Sequence, residues 1–123
     1  MNIAFVLIPE KGHVNPYIGP AQALQERGHS VVIAAPGDIA GQVAAAGLAF
    51  HRLPGSSDRP THGAALVEQL RSWYRKAAID GVAFDPIYYA ASLAGEPAGL
   101  PWAGVLRFRR RATATWFARW GTL

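Results

Sequence analysis

The chain has 123 residues, half of them apolar and 16% charged, and no cysteine, which describes one globular domain rather than a disordered segment. Disulfides and cysteine-based metal or redox sites are thereby excluded, in keeping with a cytoplasmic location, and no run nears the ~20 apolar residues of a membrane span. The net charge of +4 is uneven: residues 1–106 carry seven Lys/Arg against eight Asp/Glu, and residues 107–123 carry five Arg and no acid, so the near-neutral body argues against nucleic-acid binding.

Strands and helices alternate along the chain. Asn2–Ile8 is read as a buried first strand; it has neither a basic flank nor an Ala-x-Ala site, so it is not a signal peptide. Pro9–Pro16 is expected to be a polar loop, with Asn15 as helix cap and Pro16 at the first helical position. A helix then runs to Arg27 and stops at Gly28. Gly19-Pro20 inside it predicts a kink, or a regular helix beginning only near Pro20. Ser30–Ala35 is β-branched and apolar, as strands buried on both faces are. Asp38 caps a short helix through Ala46, closed by Gly47, and Leu48–Leu53 reads as a peripheral third strand.

Pro54–Pro60 is loop by composition. Thr61 introduces a helix with Leu66, Leu70, Trp73 and Ala77 at helical spacing, flanked by Val67 and Tyr74. Val82–Phe84 is the fourth strand, Asp85-Pro86 opens a helix to about Ala94, and Leu100–Leu106 is the fifth strand. This alternation predicts an α/β, Rossmann-like, doubly wound parallel sheet of about five strands, ordered 3-2-1-4-5, with helices on both faces. The domain spans 1–106. The tail 107–123 is distinct: Arg107, Arg109, Arg110 and Arg111, then Trp116, Phe117 and Trp120 at helical spacing.

In that strand order the first and fourth strands are neighbours. His13 follows one and Asp85 closes the other, so both belong at the carboxyl edge of the sheet, where ligands bind in such folds. An imidazole backed by a carboxylate is a general-base pair: the carboxylate sets the tautomer and stabilises the imidazolium. Taken alone, Asp85 before Pro86 is an ordinary helix cap, and a lone loop histidine is more often solvated than catalytic. Gly12 is most simply a turn residue. No Gly-x-Gly-x-x-Gly follows the first strand, which counts against a dinucleotide-binding oxidoreductase. His29 belongs at the opposite sheet edge, and His51 and His62 form no metal-ligand spacing.

Four segments occur in order: Gly12-His13-Val14-Asn15-Pro16; Arg27-Gly28-His29-Ser30-Val31; Val43 to Phe50; and Asp85-Pro86, ending in Gly99-Leu100-Pro101-Trp102. Together they resemble the N-terminal, acceptor-binding domain of GT-B glycosyltransferases, in the bacterial macrolide and UDP-glycosyltransferase-like group, over residues 1–106. The resemblance implies that His13 deprotonates an acceptor hydroxyl, which attacks the anomeric carbon of a nucleotide sugar with inversion. Asp85 then supports the base, and Gly12, Val14 and Asn15 belong to the acceptor loop. It implies no resident cofactor and no metal. The nucleotide sugar is a co-substrate held mainly by a donor domain absent from this sequence.

Pro54–Asp80 is shorter than in the family, Pro97 interrupts a helix that members continue, and the last helices of the first domain are missing. The expectation is therefore the acceptor-binding half of an inverting glycosyltransferase. It should bind a small hydrophobic hydroxylated acceptor and be inactive without a donor-binding domain or a separate donor chain. The competing reading is a non-enzymatic Rossmann-like binding or scaffold module. A third has the basic, aromatic tail lying on an anionic membrane, against a tail that only covers apolar surface.

Overall fold

A computed structural model describes residues 1–55, 63–106 and 115–119. Its strands are Asn2–Val6 (β1), Ser30–Pro36 (β2), Ala49–Leu53 (β3), Gly81–Phe84 (β4), Trp102–Leu106 (β5) and Thr115–Arg119 (β6). The first five are parallel and lie in the order 3-2-1-4-5. The helices are Lys11–Glu26 (α1), Ala40–Ala45 (α2), Gly63–Lys76 (α3) and Ala90–Gly95 (α4). This is the doubly wound α/β architecture that alternating strands and helices with right-handed crossovers produce.

Side chains alternate through β1, so the strand feeds two cores. Phe5 and Leu7 meet Val14, Tyr17 and Ala21 of α1, Val43 of α2, and Ala83 of β4. Ala4 and Val6 face the other way, with Phe84, toward Leu66, Leu70 and Tyr74 of α3 and Ala91 and Ala94 of α4. α1 and α2 end alike. Gly28 and Gly47 take φ of +91° and +75°. Their N–H groups reach Gln25 and Ala44, and the next residues reach Leu24 and Val43. That double bond pattern is a Schellman cap, which only glycine adopts without strain.

Two expectations are corrected. The stretch Pro9–Pro16 is not wholly loop: α1 begins at Lys11 and contains both Pro16 and Pro20. Neither proline can donate to the carbonyl four residues back, but Val14 and Tyr17 reach the sheet only if the turn before Pro16 is helical. Burial outweighs the two missing bonds. Asn15 is accordingly no cap; Glu10 holds that position without a side-chain capping bond, and Asn15 Oδ1 accepts from Gln42 Nε2 at 2.7 Å. The segment after Asp85 is not one helix either. Pro86–Tyr88 and Glu96–Ala98 are 3-10 turns on either side of α4.

Part of the tail adds a strand: Thr115–Arg119 pairs antiparallel with β5 from Trp102↔Arg119 to Leu106↔Thr115. A sheet edge offers a row of unpaired amides and carbonyls, and a segment rich in β-formers satisfies them. The cluster Arg107 to Arg111 and Trp120 lie outside the described residues. Among the described residues no helix is long and apolar enough to cross a membrane.

On the α1 side, no helix among the described residues covers β4 and β5. A cleft of about 690 Å³ opens there between Phe5, Pro20, Leu24, Ala83 and Ala103. It lies toward the amino ends of the strands, beside Met1, Gly81 and Pro101. Exposed apolar surface of this kind drives association. Light scattering over a concentration series should show self-association; a monodisperse monomer throughout would contradict it. Leu70 is wholly buried in the opposite core, so Leu70→Ala should cost about 2–5 kcal/mol. In urea this appears as a lower midpoint at unchanged slope.

Candidate active site

β1 and β4 pair in register from Ile3↔Gly81 to Val6↔Phe84. The chain leaving each strand therefore emerges at the same sheet edge. α1 starts five residues after β1 and carries His13 in its first turn. Asp85 directly follows β4, and its N–H still bonds Val6 O at 3.0 Å. The result is a contact across 72 positions, with His13 Nδ1 at 2.5 Å from Asp85 Oδ2.

Asp85 is almost wholly buried, the one charged residue among the buried side chains described. Burial of a carboxylate is tolerable only when its oxygens find donors. Here each has one: Oδ1 accepts from Ile87 N at 3.1 Å, the cap of the following 3-10 turn, and Oδ2 takes the imidazole. The helix-cap role and the histidine-support role are thus performed together by different oxygens. An ionised carboxylate only accepts, so Nδ1 carries the proton. Nε2 is left with its lone pair on a side chain about one-third exposed.

A second anchor lies one turn further along α1. Tyr17 is buried, and its hydroxyl donates to Phe84 O at 3.1 Å. His13 and Tyr17 stand four residues apart on one helix face and grip consecutive residues of the β4 terminus. Sequence reasoning missed Tyr17; its spacing from His13 was the available signal. On the exposed side, Glu10 Oε2 lies 3.8 Å from Nε2. Tyr88 is held neutral beside this edge, its pKa raised chiefly by burial and further by the Asp85 charge.

Of the other residues singled out, Val14 is fully buried and holds α1 on the sheet rather than facing solvent. Gly12 lies in the first turn of α1 and Asn15 one turn on, tied to α2. His29 Nδ1 sits 3.2 Å from the amino terminus at the opposite edge. His51 stacks on Trp73, ring centroids 4.3 Å apart, and desolvation lowers its pKa. His62 lies outside the described residues. Among those residues, no group of three or more His, Asp or Glu is placed to hold a metal ion.

Residues 4–96 match the glycosyltransferase family 28 N-terminal domain. The chain belongs to that family. Demethyllactenocin mycarosyltransferase of Streptomyces fradiae is 51% identical over 39 residues, 32% of this chain and 8% of that protein. O-mycaminosyltylonolide 6-deoxyallosyltransferase of the same organism is 35% identical over 71 residues, 58% of this chain and 17% of that protein. The crystal structure of the glycosyltransferase VinC in complex with dTDP superposes with a TM-score of 0.69 at 20% identity, over 83% of this chain and 33% of that one. The chain is therefore a glycosyltransferase N-terminal domain of family 28 with a GT-B-type fold. It spans a small fraction of the length of the curated relatives it matches.

A feature of this glycosyltransferase domain that sequence reasoning passed over is the apolar surface beside Asp85. Ile87, Tyr89 and Leu93 are exposed. With Leu66, Val67 and Tyr88 they line a cleft of about 440 Å³ between the start of α3 and α4.

The division of labour on Asp85 yields a prediction. In Asp85→Asn the carbonyl oxygen should stay on Ile87 N, turning the amide NH₂ toward Nδ1. The imidazole must then carry its proton on Nε2. Nitrogen NMR should report that tautomer change, with unfolding midpoints near wild type. Asp85→Ala should instead lose the cap, at about 1 kcal/mol.

Proposed function

We propose that this chain supplies the general base and the acceptor-binding wall of an inverting sugar transfer. The observation that carries the reading is the His13–Asp85 hydrogen bond, which reserves Nε2 for an incoming hydroxyl. In this reading Nε2 takes the hydroxyl proton as the oxygen attacks the anomeric carbon. The bond to the nucleotide phosphate breaks on the opposite face, inverting the centre. Asp85 stabilises the imidazolium and stays ionised. The cleft beside Ile87, Tyr89 and Leu93 receives the apolar body of the acceptor.

No resident cofactor or metal takes part in this scheme. The co-substrate is a nucleotide sugar held mainly by a second, donor-binding domain, in this polypeptide or a separate one. Residues 1–106 act as the acceptor domain, with Gly12 and Asn15 shaping its loop-facing side. These 123 residues alone should turn over nothing, because no leaving group is presented to the nucleophile. The family match and the relatives, both sugar transferases by name, support the reaction class.

The test is titration of the 123-residue chain with naphthol and with nucleotide sugars. Naphthol should bind and His13→Ala should weaken it severalfold, with circular dichroism unchanged, while nucleotide sugars bind weakly. Naphthol binding indifferent to His13, or none at all, would favour a Rossmann-like scaffold without catalysis.

A further inference from the structure

The free nitrogen of His13 is not unattended. Glu10 is the residue at the mouth of α1, and its backbone is fixed on both sides. Its N–H donates to Ile8 O at 2.9 Å, and its carbonyl accepts from His13 N at 2.8 Å and Val14 N at 2.9 Å. Its side chain makes no capping bond to the helix amides. It extends instead over the imidazole, with Oε2 at 3.8 Å from Nε2 and the side chain 71% exposed. The two carboxylates around His13 therefore differ in kind. Asp85 is buried, satisfied at both oxygens and directed at Nδ1; Glu10 is solvated and directed at the nitrogen that acts.

A hydroxyl that delivers its proton to Nε2 must come within about 2.6–3.2 Å of it. At that position it is a neighbour of the Glu10 carboxylate, and so are the substituents beside it. A fixed negative charge a few ångströms from the reacting oxygen attracts a cationic substituent and repels an anionic one. Tyr88, which lies beside Asp85, is neutral and offsets none of that charge. Among the described side chains no Lys or Arg forms an ion pair with Glu10.

We propose that Glu10 is a specificity-determining residue. It selects acceptors that carry a protonated amine close to the hydroxyl to be glycosylated, and it discriminates against acceptors that carry a carboxylate there. The inference rests on the acceptor-site reading above and adds the charge class of the substrate to it. Because Glu10 is exposed and salt screens such interactions, the discrimination is modest, roughly three- to tenfold, and shrinks as ionic strength rises.

The experiment uses three probes that share a phenol and carry a short arm ortho to the hydroxyl: 2-(2-aminoethyl)phenol, 2-ethylphenol and 3-(2-hydroxyphenyl)propanoic acid, which are cationic, neutral and anionic at neutral pH. Each is titrated into the 123-residue chain while the His13 imidazole resonances are followed by NMR. The expected order of affinity is the amine, then 2-ethylphenol, then the acid. In Glu10→Gln the ratio of amine to acid affinities collapses toward one, and in Glu10→Lys it inverts. If 2-ethylphenol perturbs His13 in the wild type but the charge ratio is the same in all three proteins, the role of Glu10 is overturned and the acceptor site stands. If none of the probes perturbs His13 in the wild type, the acceptor site itself is overturned, and Glu10's role with it.

Discussion

The hydrogen bond between His13 and Asp85 is the constraint on which the rest depends, and it exists because β1 and β4 are parallel neighbours in matched register. Phe84 ends level with Val6, so the residues that follow are delivered to one edge together. A one-residue slip in that pairing would reverse which side chains of β4 face which core. Ala83 would then point into the α3–α4 layer, and Phe84 would leave the core it shares with Leu70 and Ala91. The hydrophobic pattern of the two strands thus sets the register, and the register sets the geometry of the polar pair. The site is a consequence of core packing rather than an addition to it.

Much of this was legible in the sequence, and the parts that were not share a cause. Apolar runs bounded by Gly and Pro identify five strands, and alternation with helices orders them, so the meeting of His13 and Asp85 could be argued before any coordinates. Local chemistry misled at Pro9–Pro16. Asn15-Pro16 has the form of a helix start, but the tertiary requirement to bury Val14 extends α1 back to Lys11. That places His13 on a helix, one turn from Tyr17, and so on a more rigid support than a loop would give. Pro86 misled in the opposite sense: it was read as the start of a longer helix and sits in a 3-10 turn, whereas Pro97, read as an interruption, does follow the end of α4. The sixth strand left no signal, because Trp116 and Phe117 suit either state and the edge of β5 decides between them. Glu10, Ile87 and Tyr89 were equally opaque. A single exposed residue has no periodicity to read, and its importance comes from what the fold sets beside it.

The two sheet edges are used differently. At the amino edge His29 lies against the chain terminus, and the apolar cleft between α1 and β5 has hardly a polar group along it. At the carboxyl edge the ionisable groups His13, Asp85 and Glu10 converge within a few ångströms, next to a smaller apolar cleft. Volume alone would direct attention to the amino edge, whose larger cavity is lined mainly by apolar side chains. What distinguishes the carboxyl edge is that its polar groups belong to different elements and are held by the backbone: β4 through Asp85, α1 through His13 and Tyr17.

Asp85 carries the argument furthest, because its two roles need not conflict. A buried carboxylate is costly unless each oxygen is paired, and one partner is seldom enough. The cap at Ile87 N satisfies Oδ1 and fixes the plane of the carboxyl group, since Pro86 sets the backbone of the turn. Once that plane is fixed, Oδ2 has a single direction in which to point, and β1 and α1 have brought an imidazole there. The capping bond therefore does for Asp85 what Asp85 does for His13: each sets the orientation of the next group along a line from the rigid turn to the exposed nitrogen. Aspartate before proline is common at helix starts for reasons of stability alone. In this fold the same dipeptide, placed at the end of the strand beside β1, is already positioned to hold the His13 imidazole.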